Sequence, residues 1–205
     1  MATCGGFAVG TMKIAILIDG GHVRALAQMA QRRYTPELVA SLAHSCAVEN
    51  EQIMRILYYD CAPYSGTVKL PVSGKSHDFK GNDRWCKDLA AKELFAVRLG
   101  TLKFRGYKPK RIPIKHENPS DDDFKPDFEQ KGVDMRIGLD IALFSVTQAA
   151  ERILIITGDT DCIPAMKHGR KAGLQMALVS LPEHSPAPEL LWHADFHRKI
   201  AWPAL

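Results

Sequence analysis

The 205-residue sequence has no apolar run near the roughly 18 residues that a membrane span requires, and its first eleven residues lack the basic start of a secretory signal. A membrane role is not expected, and the cytoplasm is the default compartment. Cysteine is scarce and odd in number: Cys4, Cys46, Cys61, Cys86 and Cys162 are scattered, with no CxxC pair. That excludes a zinc ribbon or a dithiol redox motif and leaves reduced, mostly buried thiols. No HExxH accompanies His193 and His197, so their i, i+4 spacing reads as surface histidines rather than a zinc site. There is no internal repeat. With 46% hydrophobic and 24% charged residues, disorder, collagen and coiled coil are excluded. The net charge of +4 is too small to establish nucleic-acid binding, so the placement of charge matters more than its sum.

Residues 1–11 read as a loose leader and 12–205 as one domain. The run Ile14 to Ile18 is apolar without alternation, as a central parallel strand covered on both faces must be, and it stops at Asp19-Gly20-Gly21. The pattern returns at Ile153 to Ile156, which stops at Thr157-Gly158-Asp159-Thr160-Asp161. Met176 to Val179, Ile53 to Tyr59 and Phe95 to Leu99 are further strands. Helices are expected from Thr35, a capping residue before Pro36, to about Val48, and from an Asp83 cap through Leu94. Two more are expected over Val133 to Val146 and over Cys162 to Lys171, ending at Gly173. Alternating strands and helices predict a Rossmann-like α/β fold, a three-layer α/β/α sandwich on a mainly parallel sheet of about five strands.

Arg98 to Lys115 breaks this rhythm with seven Lys or Arg and no acid, and Phe104 and Tyr107 are interleaved. Acids and prolines follow, from Glu117 to Glu129. Together they read as an inserted, mobile basic and acidic loop around 101–130. Lys103 and Arg105 can guide a phosphate backbone while Tyr107 or Phe104 stacks a base, and a solvated, charge-balanced loop accounts for the same residues equally well. The aromatics Trp192, Phe196 and Trp202 read as core or as a surface for a protein partner, and a homo-oligomer is left open.

Ligands of open parallel sheets bind beyond the carboxyl ends of the strands, where Asp19 and Asp159 both stand. On neighbouring strands they converge across about 4.8 Å, and Asp161 joins from the next helix. Like charges about 4 Å apart repel by about 4 kcal/mol at an effective dielectric near 20, so such a cluster protonates or holds cations. Oxygen-only ligation selects Mg²⁺ or Mn²⁺. The segment Lys131 to Asp140 contributes Asp134 at a helix start and Asp140 on an apolar helix, where a buried carboxylate requires a partner. Each of these acids, taken alone, has an ordinary reading as a turn former or cap.

The three segments Ile18-Asp19-Gly20, Lys131-Gly132-Val133-Asp134 with Asp140, and Thr157-Gly158-Asp159-Thr160-Asp161 resemble the NYN family of PIN-like ribonucleases, over about residues 13–200. The resemblance implies a PIN-like fold and metal-dependent cleavage of RNA, with Asp19, Asp134, Asp140, Asp159 and Asp161 as the catalytic acids. His22 and Cys162 stand near places where the family more often carries Asn and Phe, which puts His22 among the residues facing substrate. The chemistry fits independently of the family, because divalent ions can activate water and neutralise phosphate without a protein nucleophile. On that reading Asp19, Asp140, Asp159 and Asp161 coordinate metal, Asp134 is a ligand or an orienter, and Lys131, Thr157 and Thr160 contact single-stranded RNA or its phosphate. The rival function is a catalytically inactive RNA-binding or protein-interaction module on the same fold. Asp159-Thr160-Asp161 also mimics the DxD of haloacid-dehalogenase-type phosphatases, but that motif follows the first strand of its domain.

Overall fold

A computed structural model describes residues 11–114 and 117–204, so nearly all of the expected leader lies outside the described residues. In chain order the strands are β1 (Met12–Asp19), β2 (Glu51–Ala62), β3 (Gly66–Lys69), β4 (Ser76–Phe79), β5 (Phe95–Pro109), β6 (Phe124–Lys131), β7 (Arg152–Ile156), β8 (Gln175–Ser180) and β9 (Phe196–Lys199). The helices are α1 (Gly20–Met29), α2 (Pro36–Ser45), α3 (Arg84–Ala90), α4 (Val133–Thr147), α5 (Ile163–Lys171) and α6 (Pro188–Trp192). Seven strands form one sheet in the order β6-β5-β2-β1-β7-β8-β9, and β3 pairs with β4 in a separate hairpin. All neighbours in the large sheet are parallel except β5 and β6.

Ile14 to Ile18 are fully buried because both faces of β1 are covered. Ile14, Ile16 and Ile18 face α1, α2 and α3 through Val23, Leu26, Val39, Leu42 and Leu89. Ala15 and Leu17 face the opposite layer, where Ile137 and Ile141 of α4, Met166 of α5 and Leu190 of α6 pack. The layers are thus α/β/α, as the alternation predicts. From β1 the chain builds outward to β2 and β5 on one side and returns to build β7, β8 and β9 on the other. That reversal at β1 opens a crevice at the carboxyl ends of β1 and β7.

The sheet has two edge strands more than the five expected. Both β6 and β9 are rich in charge, which protects exposed edges from pairing and hides them from a reading based on apolar runs. The expected mobile loop around 101–130 is instead largely a β5/β6 ribbon, with Thr101 opposite Lys131 and Pro109 opposite Phe124. Its basic and acidic halves pair across the strands, Arg105 with Glu129 and Lys108 with Asp127. Phe104 and Phe128 meet Tyr64 and Phe79 at centroid separations of 5.3–6.0 Å, a small aromatic core under the β3/β4 hairpin.

Thr35 caps α2 as expected, its hydroxyl accepting from the Leu38 amide at 3.2 Å. Asp83 makes no cap bond to α3; Asn82 Oδ1 accepts from the Arg84 amide at 2.9 Å, and Asp83 pairs with Lys87 instead. Helix α1 is not among the helices expected from sequence; Asp19 caps it by accepting from the His22 amide, and Val23, Leu26 and Ala27 form its buried face. Trp202 packs on the core as one of the two expected alternatives, whereas Trp192 and Phe196 are 69% and 45% exposed. No helix among the described residues is long and apolar enough to cross a membrane.

Candidate metal centre

Asp19 is the last residue of β1, and the pairing of Ile18 with Ile156 sets the start of the Thr157 to Asp161 segment beside it. One Asp19 oxygen accepts from the His22 amide at 3.1 Å and the other from the Thr157 hydroxyl at 3.2 Å. Thr157, 2% exposed, also accepts from the Asp159 amide at 3.1 Å, so one buried hydroxyl aligns both acids. Asp159 in turn caps the short turn that follows by accepting from the Asp161 amide at 2.8 Å. The chain after Asp19 turns directly into α1 because residue 20 is glycine. A Cβ there would lie 2.2 Å from the buried Tyr58 Oη.

The third contribution arrives from the far edge of the sheet. β6 ends at Lys131, Gly132 adopts φ +78°, and α4 begins with Asp134 in its first turn. Ligand oxygens of Asp134, Asp159 and Asp161 all lie within 4.8 Å of one another. Asp159 also walls an open hollow of about 390 Å³ with Asp19, His22, Thr160, Gln130 and His184. Burial pushes the Asp134 carboxyl above the usual aspartate value, and Asp159, Asp19 and Asp161 push it further. Asp19 is raised as well, mainly by burial, with Asp159 adding to it against the hydrogen bond from the His22 amide. Four acids therefore share one field, and the charges of Asp159, Asp19 and Asp161 favour the protonated form of Asp134, as that of Asp159 does for Asp19. His22 stands edge-on to His184 at 5.1 Å between ring centroids; burial, then His184, lowers its pKa to about 4.

The donor set fits a hard divalent cation. Metal–oxygen bonds of about 2.1 to 2.4 Å place ligand oxygens up to about 4.2 to 4.8 Å apart across the ion. The three oxygens lie within 4.8 Å of one another, the upper end of that reach, and every donor is a carboxylate.

Asp140 does not join this group. Six residues further along α4, about 9 Å by helical rise, it is buried and accepts from Tyr59 Oη at 2.9 Å and from Arg98 at 3.1 Å. The partner that its burial requires is a guanidinium and a phenol, rather than the metal ion that its reading as a ligand implies. Among the residues expected to face RNA, Thr160 and His22 line the hollow, Thr157 lies buried behind Asp19 and Asp159, and Lys131 pairs with Glu129. Lys103 is exposed on the ribbon, Arg105 is engaged by Glu129, and Tyr107 packs edge-on against Phe104 at 5.3 Å. Tyr107 is thus part of the ribbon's packing. Gln130 and His184 are the site residues that sequence reading missed. Gln130 lies in the stretch taken for a loop, and His184 in a Pro-flanked loop with no distinguishing pattern.

No curated protein matches this sequence. The crystal structure of a protein of unknown function from Vibrio parahaemolyticus RIMD 2210633 superimposes with a TM-score of 0.54 at 15% identity, covering 93% of this chain and 94% of that one, which shows the fold alone. The family model described as NYN domain matches residues 13–200, the span that contains the acid cluster and every strand but the first residue of β1. The chain belongs to the NYN domain family.

Proposed function

We propose that this protein is a divalent-metal-dependent nuclease that hydrolyses phosphodiester bonds of single-stranded RNA, with Mg²⁺ or Mn²⁺ as its cofactor. The observation that carries the reading is the meeting of Asp134, Asp159 and Asp161, from two distant segments, with oxygens within 4.8 Å. Asp134, Asp159 and Asp161 hold the ion, and Asp19 adds the fourth negative charge beside it. A divalent ion held there supplies positive charge to the phosphate and acidifies the attacking water. Thr157 keeps Asp19 and Asp159 in register, while Thr160, His22 and Gln130 border the space that the phosphate enters. Asp140 serves the fold by tying α4 to β2 and β5 through Tyr59 and Arg98.

The test is incubation of a fluorescent single-stranded RNA with the purified protein and Mg²⁺ or Mn²⁺. Product that EDTA prevents is the expected result. Ion binding without product in either metal would refute the enzyme and favour the catalytically inactive RNA-binding or protein-interaction module on the same fold. Thr157→Val removes the hydroxyl that both acids use, and outer-sphere losses of this kind cost about 10- to 100-fold in ion affinity or rate. Mn²⁺ affinity measured by calorimetry is expected to fall by that factor with little change in melting temperature.

A further inference from the structure

We propose that the hollow beside the acid cluster, walled by Trp85, Tyr34 and Arg24, is a subsite for a nucleobase of the RNA strand, seating the nucleotide next to the phosphate at the carboxylates. The substrate class rests on the nuclease reading; the subsite itself rests on the following geometry.

The hollow measures about 450 Å³, within the roughly 300 to 1,000 Å³ of small-ligand sites. Gln130 lines both it and the acid hollow, so the two spaces share a wall and a strand can cross from one to the other. The Gln130 amide makes no side-chain hydrogen bond among the described residues, which leaves it able to donate and accept at the crossing point. Tyr34 and Trp85 are stacked on each other, with centroids 5.2 Å apart and planes 10° apart, so each closes one face of the other and the pair borders the hollow with its edges and outer faces.

Arg24 crosses the Tyr34 ring with its guanidinium carbon 5.8 Å from the centroid and is anchored by Asp60. Asp60 is itself 7% exposed and accepts from Tyr58 Oη at 2.9 Å and the Cys61 amide at 2.7 Å. The anchor is therefore rigid, while the Arg24 side chain remains 47% exposed and has N–H groups to spare. Asn82 uses its carbonyl oxygen on the Arg84 amide, which orients its amide hydrogens without consuming them. A flat aromatic wall, a planar cation and a free amide are the groups that hold an unstacked base. A groove for an apolar protein segment would not place a buried carboxylate and an arginine in its wall.

Binding is read by anisotropy of a fluorescent 12-nucleotide single-stranded RNA in EDTA, where turnover stops, and KM and kcat are read separately in Mn²⁺. Trp85→Leu removes the wall; because Trp85 also packs on the core, Cys86→Phe is the second variant, filling the hollow from α3 with the wall intact. Stacking of one base corresponds to roughly 5- to 150-fold in affinity, so each variant is expected to weaken binding within that range, with KM raised and kcat nearly kept. In the wild-type protein, an abasic scan of the RNA is expected to find one position with the same loss, and Cys86→Phe to abolish that position's effect. Equal affinity of all three proteins, or an abasic scan without a sensitive position, overturns the subsite even where the RNA is cleaved. Weakened binding by both variants with no cleavage by wild type sustains the subsite and refutes the nuclease. Absence of RNA binding by wild type overturns the subsite outright.

Discussion

Asp159→Asn is expected to lower the rate of metal-dependent RNA cleavage by about three orders of magnitude while the protein folds at least as well as before. Asp159 is the acid shared by the oxygen cluster and the hollow, so on the proposed function its charge is the one an ion there would use most directly. An ion's stabilisation of phosphoryl charge amounts to several kcal/mol, and each 1.36 kcal/mol is about tenfold in rate. Asn keeps an acceptor oxygen for the Asp161 amide, so the local turn survives. It also removes one of the charges that raise the pKa of Asp19 and Asp134. For those acids the folded pKa lies above the unfolded one, so in the ion-free protein they cost stability as pH rises from the ordinary value of 3.8 through the raised values. Removing a neighbouring charge lessens that cost, and the ion-free variant should melt no lower than wild type near neutral pH. Asp140→Asn is the contrast: it weakens the grip of Tyr59 and Arg98 and lowers stability while leaving the ion affinity in place. A chelator-sensitive nuclease activity retained by Asp159→Asn would show that the assignment of this acid is wrong.

The second large effect lies at the opposite end of the sheet. Glu51, at the start of β2, has a side chain only 2% exposed and receives Arg152 from β7 and Arg198 from β9. Arg198 forms a fork on it, and the Val48 amide adds a bond at 3.2 Å. Arg198 also donates to the Cys46 carbonyl, and Arg152 lies over the Phe196 ring at 4.5 Å. One carboxylate thus ties together strands that are not sequence neighbours, including the edge strand β9. Removing one partner of such a buried group leaves two cations uncompensated, so Glu51→Ala is expected to cost about 3 to 5 kcal/mol in chemical denaturation. Burial alone would raise the Glu51 pKa, but Arg198, the Val48 amide and Arg152 outweigh it and hold it below 4.5. Its contribution is therefore complete above the unfolded value near 4.5 and is lost as pH falls through the lower folded value. The stability gap between wild type and Glu51→Gln should close in that acidic window, and a gap independent of pH would refute the charge argument.

Apolar runs made the centre of this fold legible. Ile14 to Ile18, Ile153 to Ile156 and Met176 to Val179 are strands because burial on both faces leaves no room for polar alternation. The edges were not legible for the same reason: β6 contains Lys125, Pro126, Asp127 and Glu129, a composition that also describes a loop. Only the partner strand shows that its charges are cross-strand pairs. The meeting of Asp19, Asp159, Asp161 and Asp134 was legible from parallel strands that end together and from the start of a helix, whereas the grouping of the Asp134, Asp159 and Asp161 oxygens without Asp19, which was expected among the ligands, was not. Asp140 illustrates what spacing leaves open. Its burial goes with Ile137, Ile141 and Phe144, which share the buried face of α4, whereas the identity of its partner depends on where Arg98 and Tyr59 lie in space. Gln130 and His184 reach the site from segments with no pattern of their own, and only tertiary packing assigns them to it.

The proposed binding of a cation by Asp134, Asp159 and Asp161 is tested most directly by calorimetric titration of the metal-free protein with Mn²⁺, followed by thermal melting at the same ion concentrations. Binding with a rise in melting temperature is predicted, since an ion at about 100 times its dissociation constant adds about 2.7 kcal/mol to the folded state. The rise should vanish in Asp159→Asn. A wild-type protein that shows neither heat of binding nor any shift with Mn²⁺ or Mg²⁺ would contradict the account.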